Sequence, residues 1–100
     1  MSRTSVIRYR TRPDAAEENV RLVEAVYAAL AKAKPKDLEY ATYRLDDGVT
    51  FVHVARLPDG ENPLGALPEF AEFQRQISER CVEQPAPAGA TVVGSYRAAF

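Results

Sequence analysis

The sequence divides at Asp46-Asp47-Gly48 into two halves with the same order of elements, strand–helix–strand, and that order leaves few folds open. Residues 6–11 mix β-branched, aromatic and charged side chains and stop before Pro13, as a strand does. Asp14 stands where a helix N-cap belongs, and Glu17 follows at the spacing that lets two side chains satisfy free backbone N–H groups reciprocally. From 15 to about 33 the chain reads as a helix. Val20, Val23, Tyr27 and Leu30 form its apolar stripe, with Val26 beside them. Glu17 and Glu18 open that helix, and Lys32 and Lys34 close it, the polarity that a helix dipole favours. Pro35 ends it.

Residues 38–45 and 49–57 are predicted strands joined by the Asp46-Asp47-Gly48 turn, in which Gly48 takes positive φ at little cost. In the second of them both alternating sets are largely apolar, Phe51, His53 and Ala55 against Thr50, Val52 and Val54. A central strand buried on both sides has this pattern. After a loop at 58–63, Pro68 fits the first position of a second helix. Phe70, Phe73, Ile77 and Cys81 form its stripe. Residues 84–89 then read as a proline-rich connector, 91–97 as a closing strand, and Ala98-Ala99-Phe100 as a tail.

Two right-handed crossovers joined by one tight hairpin predict a single α+β domain over residues 1–100. The predicted fold is ferredoxin-like, βαββαβ. Its four-stranded antiparallel sheet has the first and third strands in the middle and both helices on one face. The other face is left bare, yet the strands carry apolar groups there too, with Val92 and Tyr96 on one side of the last strand and Val93 on the other. A bare apolar sheet face exceeds what a monomer exposes, so the expectation is a homodimer through the open sheet face, with a pocket in its interior.

Composition removes several function classes. A formal net charge of −1 argues against nucleic acid or an anionic membrane as partner. The single cysteine, Cys81, permits no internal disulfide, and no apolar run approaches a membrane span or a signal peptide, so a cytoplasmic protein is expected. RNA-recognition modules of this strand order stack bases on paired aromatics, but here the third strand offers Phe51 without a second aromatic two residues on. Copper carriers need two cysteines in the first loop, which is Arg12-Pro13-Asp14. One cysteine and one histidine do not make a structural zinc site, and no glycine-rich phosphate loop follows a strand. Neither a metal nor a cofactor is expected.

Three segments carry a family resemblance. The first strand ends in Thr11-Arg12-Pro13 before a long acidic-to-basic helix. The hairpin runs Tyr43-Arg44-Leu45-Asp46-Asp47-Gly48-Val49-Thr50-Phe51-Val52-His53. Phe70-Ala71-Glu72-Phe73 lies in the second helix. With these the chain resembles the dimeric α/β-barrel superfamily, most closely its antibiotic-biosynthesis-monooxygenase branch. The resemblance spans nearly the whole chain. It implies a homodimer with a pocket between sheet and helices, used in some members for cofactor-free oxidation of phenolic polyketides and in others for haem degradation. Haem-degrading members use a pocket tryptophan, and this chain has none.

His53, the only histidine, is the candidate proton acceptor, because its side chain titrates near neutral pH and a phenolic substrate must lose a proton. With a three-residue turn, Tyr43 pairs with Phe51 on the face that carries His53. Tyr43, Phe51 and Tyr96 are therefore candidate contacts for an aromatic ligand, alongside Tyr9 and Tyr40. Arg8 and Arg97 are candidates to stabilise a developing enolate, with Arg10 the third strand arginine. The alternative for each is a core, interface or rim position. Cys81 reads as a core residue rather than a nucleophile. Three functions follow: a cofactor-free oxygenase acting on a small aromatic molecule, a non-catalytic dimer that binds a small apolar ligand or accompanies an enzyme, and a structural dimer without a cavity.

Overall fold

The computed structural model describes residues 3–60 and 62–97; the tail expected at 98–100 lies outside the described residues. The elements are β1 (Arg3–Thr11), α1 (Ala16–Ala33), β2 (Glu39–Arg44), β3 (Thr50–Leu57), α2 (Pro68–Gln74), α3 (Ile77–Arg80) and β4 (Cys81–Ala90). Short 3-10 turns at Pro13–Ala15 and Pro63–Ala66 lead into α1 and α2. The sheet is antiparallel throughout, in the order β2-β3-β1-β4, with the helices on one face. This is the expected ferredoxin-like α+β arrangement, with β1 and β3 central. No helix among the described residues is long and apolar enough to cross a membrane.

The first helix starts one residue later than expected and without the anticipated cap. The Asp14 carboxylate instead accepts from the Arg12 guanidinium at 3.1 Å. Its buried stripe is Ala16, Asn19, Val23 and Val26, with Val20, Tyr27 and Leu30 half-buried along it. Across the core these side chains meet Tyr9 of β1, Phe51, Ala55 and Leu57 of β3, and Phe73 of α2. Lys34 ends the helix in a left-handed conformation, its N–H donating to the Leu30 carbonyl at 2.8 Å.

The hairpin closes one residue wider than expected. Leu45 N–H donates to Thr50 O, so residues 46–49 make the turn. Asp47 explains the extra residue: its Oδ1 accepts from the N–H groups of Val49 at 3.0 Å and Thr50 at 2.8 Å, and its Oδ2 accepts from the Thr50 hydroxyl. Gly48 supplies the positive φ of 79°. Arg44 therefore pairs with Phe51, Tyr43 with Val52, and Thr42 with His53. The expected pairing of Tyr43 with Phe51 is displaced by one residue, which sends Tyr43 to the opposite face of the sheet.

The last third also differs from the sequence expectation. The helix predicted through Cys81 breaks at Gln76, which is left-handed at φ 66°, and Cys81 begins β4. The proline-rich stretch read as a connector is the strand itself, and residues 91–97 are irregular and exposed. Proline is tolerated because β4 is an edge. Pro85 and Pro87 sit two apart, so the donors they lack belong to one side of the strand, the side with no neighbour. The register shifts along β1 between Arg8 and Thr11 absorb the resulting irregularity.

Candidate functional site

Alternation along β3 sends Phe51, His53, Ala55 and Leu57 under the helices. His53 is flanked by Ile7 on β1 and Thr42 on β2, and Tyr9 is its diagonal neighbour on the same face. The Tyr9 hydroxyl lies 2.8 Å from His53 Nε2, and the Tyr40 hydroxyl lies 2.5 Å from Nδ1. Thr42 Oγ1 stands 3.2 Å from Nδ1 and 2.9 Å from the Tyr27 hydroxyl. On the other side Asn19 donates to the Tyr9 hydroxyl at 2.8 Å, and its own oxygen accepts from Arg80 Nε at 3.3 Å. A single hydrogen-bonded chain thus runs from Tyr27 through Thr42, His53, Tyr9 and Asn19 to Arg80. Among the described residues no buried side-chain polar atom is left without a partner.

Burial sets the protonation of this chain. Removing the imidazole from water disfavours its cation, and the His53 pKa is pushed down to about 4, so the ring is neutral at physiological pH. The same desolvation raises the Tyr9 and Tyr40 phenols above their ordinary value, against a smaller opposing effect from the hydrogen bonds of Asn19 and Thr42. Both hydroxyls keep their protons. Burial also raises the Cys81 thiol, which makes it a poor nucleophile.

The chain of polar groups forms one wall of a cavity of about 450 Å³ between the sheet and α2. Its floor and sides are Ile7, Phe70, Phe73 and Ile77, while Gln74 and Gln84 bring amides to it and Pro85 and Pro87 of β4 border it. No charged side chain lines the cavity among the described residues. Tyr9, Tyr40 and His53 supply its wall of polar groups, and the volume lies within the range of small-molecule sites.

Of the side chains singled out in the sequence as site candidates, the structure brings His53 to this wall together with Tyr9 and Tyr40. Phe51 lies behind Tyr9, stacked on its ring at 5.5 Å, and belongs to the core. Arg8 and Tyr43 stand on the opposite face of the sheet, where Tyr43 is 52% exposed. Tyr96 and Arg97 lie beyond β4 in the exposed segment, stacked on each other at 5.4 Å, with Tyr96 82% exposed. Arg10 pairs with Glu83 at the sheet surface. The sequence reading missed Asn19, Thr42 and Arg80. Asn19 carried a signal: it is a polar residue on the buried side of a helix whose other buried positions are apolar.

No protein-family model matches this sequence, and no curated protein matches it. Solved structures do share the fold. Rv0793 from Mycobacterium tuberculosis superimposes with a TM-score of 0.75 at 18% identity, over 95% of this chain and 98% of that one. A structure described as an antibiotic biosynthesis monooxygenase gives 0.71 at 14% identity, over 92% and 99%. SnoaB from Streptomyces nogalater, a cofactor-independent oxygenase, gives 0.70 at 16% identity, over 97% and 98%. The fold is therefore that of the antibiotic-biosynthesis-monooxygenase structures, as the sequence resemblance implied.

The depressed His53 pKa links stability to pH. The unfolded chain, with an ordinary histidine near 6.5, binds a proton more readily than the folded one. This contribution is present in full above pH 6.5 and is lost as the pH falls from there towards 4, a loss on the order of 3 kcal/mol. Urea denaturation at neutral pH and at about pH 4.5 is expected to show a larger acid loss for the native sequence than for His53→Gln. Equal losses in the two proteins would contradict the assignment.

Proposed function

We propose that the cavity takes a small, uncharged aromatic molecule bearing a ring oxygen, and that the protein oxidises it with dioxygen directly, without a resident cofactor. The observation that carries this reading is the pairing of an apolar, uncharged cavity with a neutral imidazole hydrogen-bonded to two phenols on its wall. The fold shared with a cofactor-independent oxygenase supports it. A substrate with a methylene between aromatic rings, opposite a carbonyl, as in an anthrone, suits such a wall. Tyr9 takes a proton from the methylene as it passes its own to His53 Nε2, and the Tyr40 hydroxyl donates to the carbonyl oxygen as it becomes an enolate. The electron-rich enolate reduces dioxygen. In sum the methylene and one O₂ give a carbonyl and water. The enolate formed beside the imidazolium favours the charged ring, which the empty cavity does not.

In the expected result, oxygen uptake with an anthrone proceeds faster with the protein than in buffer, and Tyr9→Phe and His53→Gln each lower the rate by about 10²–10⁴-fold with the fold retained. Unchanged turnover in His53→Gln removes the imidazole from the mechanism. Tight anthrone binding without oxygen uptake supports instead a non-catalytic binding protein, a reading favoured by both ring nitrogens already having protein partners.

The working unit in this reading is a homodimer, in the cytoplasm, where a lone unpaired cysteine is at home. Val6, Ala41, Val52 and Val54 lie side by side on the sheet face away from the helices, with Ala88 of β4 beside Val6 and the exposed Arg8 standing between Val52 and Ala86. The Glu39–Arg56 and Arg10–Glu83 ion pairs flank it. Such a patch suits an identical partner. Sedimentation at micromolar concentration is expected to give twice the 11.1 kDa chain mass, and Val54→Asp to give the single-chain mass. A native protein that sediments as single chains contradicts the dimer.

A further inference from the structure

Arg80 is buried, yet among the described residues no carboxylate pairs with it. Its guanidinium donates to the Phe73 carbonyl at 2.6 Å, the Arg75 carbonyl at 3.3 Å and Asn19 Oδ1 at 3.3 Å. A buried cation held directly only by neutral acceptors is costly, with Glu72 acting on it from farther off, and closing the open end of α2 through two carbonyls accounts for only part of this arrangement. The third bond has a consequence further along the chain. A guanidinium can only donate, so Asn19 must turn its oxygen to Arg80 and its NH₂ to Tyr9. The Tyr9 oxygen then accepts from Asn19, and the one partner left for its hydrogen among the described residues is His53 Nε2. A nitrogen that accepts carries no proton, so in the neutral ring the proton sits on Nδ1.

We infer that Arg80 is a positioning residue: acting through Asn19 and Tyr9, it holds His53 as the Nδ1–H tautomer. Nδ1–H then donates to the Tyr40 oxygen, and the Tyr40 hydrogen is left for the Thr42 hydroxyl or for an acceptor atom in the cavity. The polar wall is thereby given a direction. Tyr40 presents a donor to a ligand's carbonyl, and Tyr9 and Nε2 present the accepting route for a proton. The groups that face the ring are Tyr9, Tyr40 and Thr42 from the strands and Phe73 from α2. Behind them stand Asn19 and Tyr27 on α1, Arg80 on α3 and Cys81 on β4. Of all these only Arg80 is charged at neutral pH. The use of the wall for a ligand rests on the proposed oxidation; the tautomer does not, being a property of the empty protein.

Because His53 is the only histidine, protein labelled with ¹⁵N-histidine gives two ring-nitrogen signals that need no assignment to a position in the chain. At neutral pH and without ligand, Nε2 is expected to be the unprotonated, pyridine-type nitrogen and Nδ1 the protonated one. Asn19→Asp keeps the size of the side chain and retains a partner for Arg80, but its carboxylate can only accept. Tyr9 must then turn its hydrogen to residue 19, Nε2 becomes the donor, and the two signals exchange character. Tyr9→Phe and Arg80→Gln release the constraint and are expected to shift the tautomer ratio by about tenfold, the effect of one hydrogen bond. A native protein with Nε2 protonated overturns the inference. So does an Asn19→Asp or Tyr9→Phe protein that is folded by near-ultraviolet circular dichroism and keeps the native ring signals. If Arg80 only closed the end of α2, its replacement would lower stability and leave the tautomer as it was.

Discussion

An imidazole sealed beneath a helical layer must have both ring nitrogens satisfied by protein groups, and His53 draws them from the two strands that flank it. That requirement constrains most of the surrounding structure. β1 must bring Tyr9 to one nitrogen, and β2 must bring Tyr40 and Thr42 to the other. A slip of one residue in either strand pairing would replace these hydroxyls with side chains of the opposite face and leave a buried polar ring unmatched, at a cost of about 1–3 kcal/mol per lost partner. α1 must present Asn19 rather than an apolar residue at its most buried position, because the Tyr9 hydroxyl needs a donor of its own. Register, helix placement and the polar wall of the cavity are consequences of one buried ring.

The apolar part of the same layer makes the cavity. Phe73 contacts both Tyr9 and His53, with ring centroids 6.4 Å and 5.4 Å away. Phe70 stacks at an angle against Phe73 at 6.0 Å. These rings exclude water from one side of the imidazole, and that exclusion lowers its proton affinity. The break after α2 lets Ile77 and Gln84, Pro85 and Pro87 of β4 close the cavity from another side. A helix continued through residue 81 could not do this, because it would carry Gln84, Pro85 and Pro87 away from the sheet.

Much of the fold was legible in the sequence because long periodic segments fix element type and order. The stripe of α1, the two-sided apolar pattern of β3 and the central turn together specify the ferredoxin-like arrangement with β1 and β3 in the middle. Two local features were not legible. Asp47 holds a wider turn by accepting three hydrogen bonds, and nothing in the spacing of the strands reveals that. Prolines ordinarily mark a connector, and only the knowledge that β4 is an edge makes 85 and 87 acceptable in a strand. The first of these displaced Tyr43 from the expected site, and the second displaced Tyr96 and Arg97. His53, Tyr9 and Tyr40 could be named from residue chemistry alone, because the expected register set Tyr43 rather than Tyr40 on the face of His53. Arg80 and Asn19 could not be joined to them, since they lie 61 residues apart and meet only through packing.

His53 is a buried, neutral imidazole on the cavity wall, and its own titration tests this most directly. The ring C–H signals of the single histidine, followed by NMR from pH 8 downwards, should stay unchanged through 6.5 and move only as the pH approaches about 4. A midpoint at the ordinary value of 6.5 would mean that the ring is open to water. That result would contradict the account of the site.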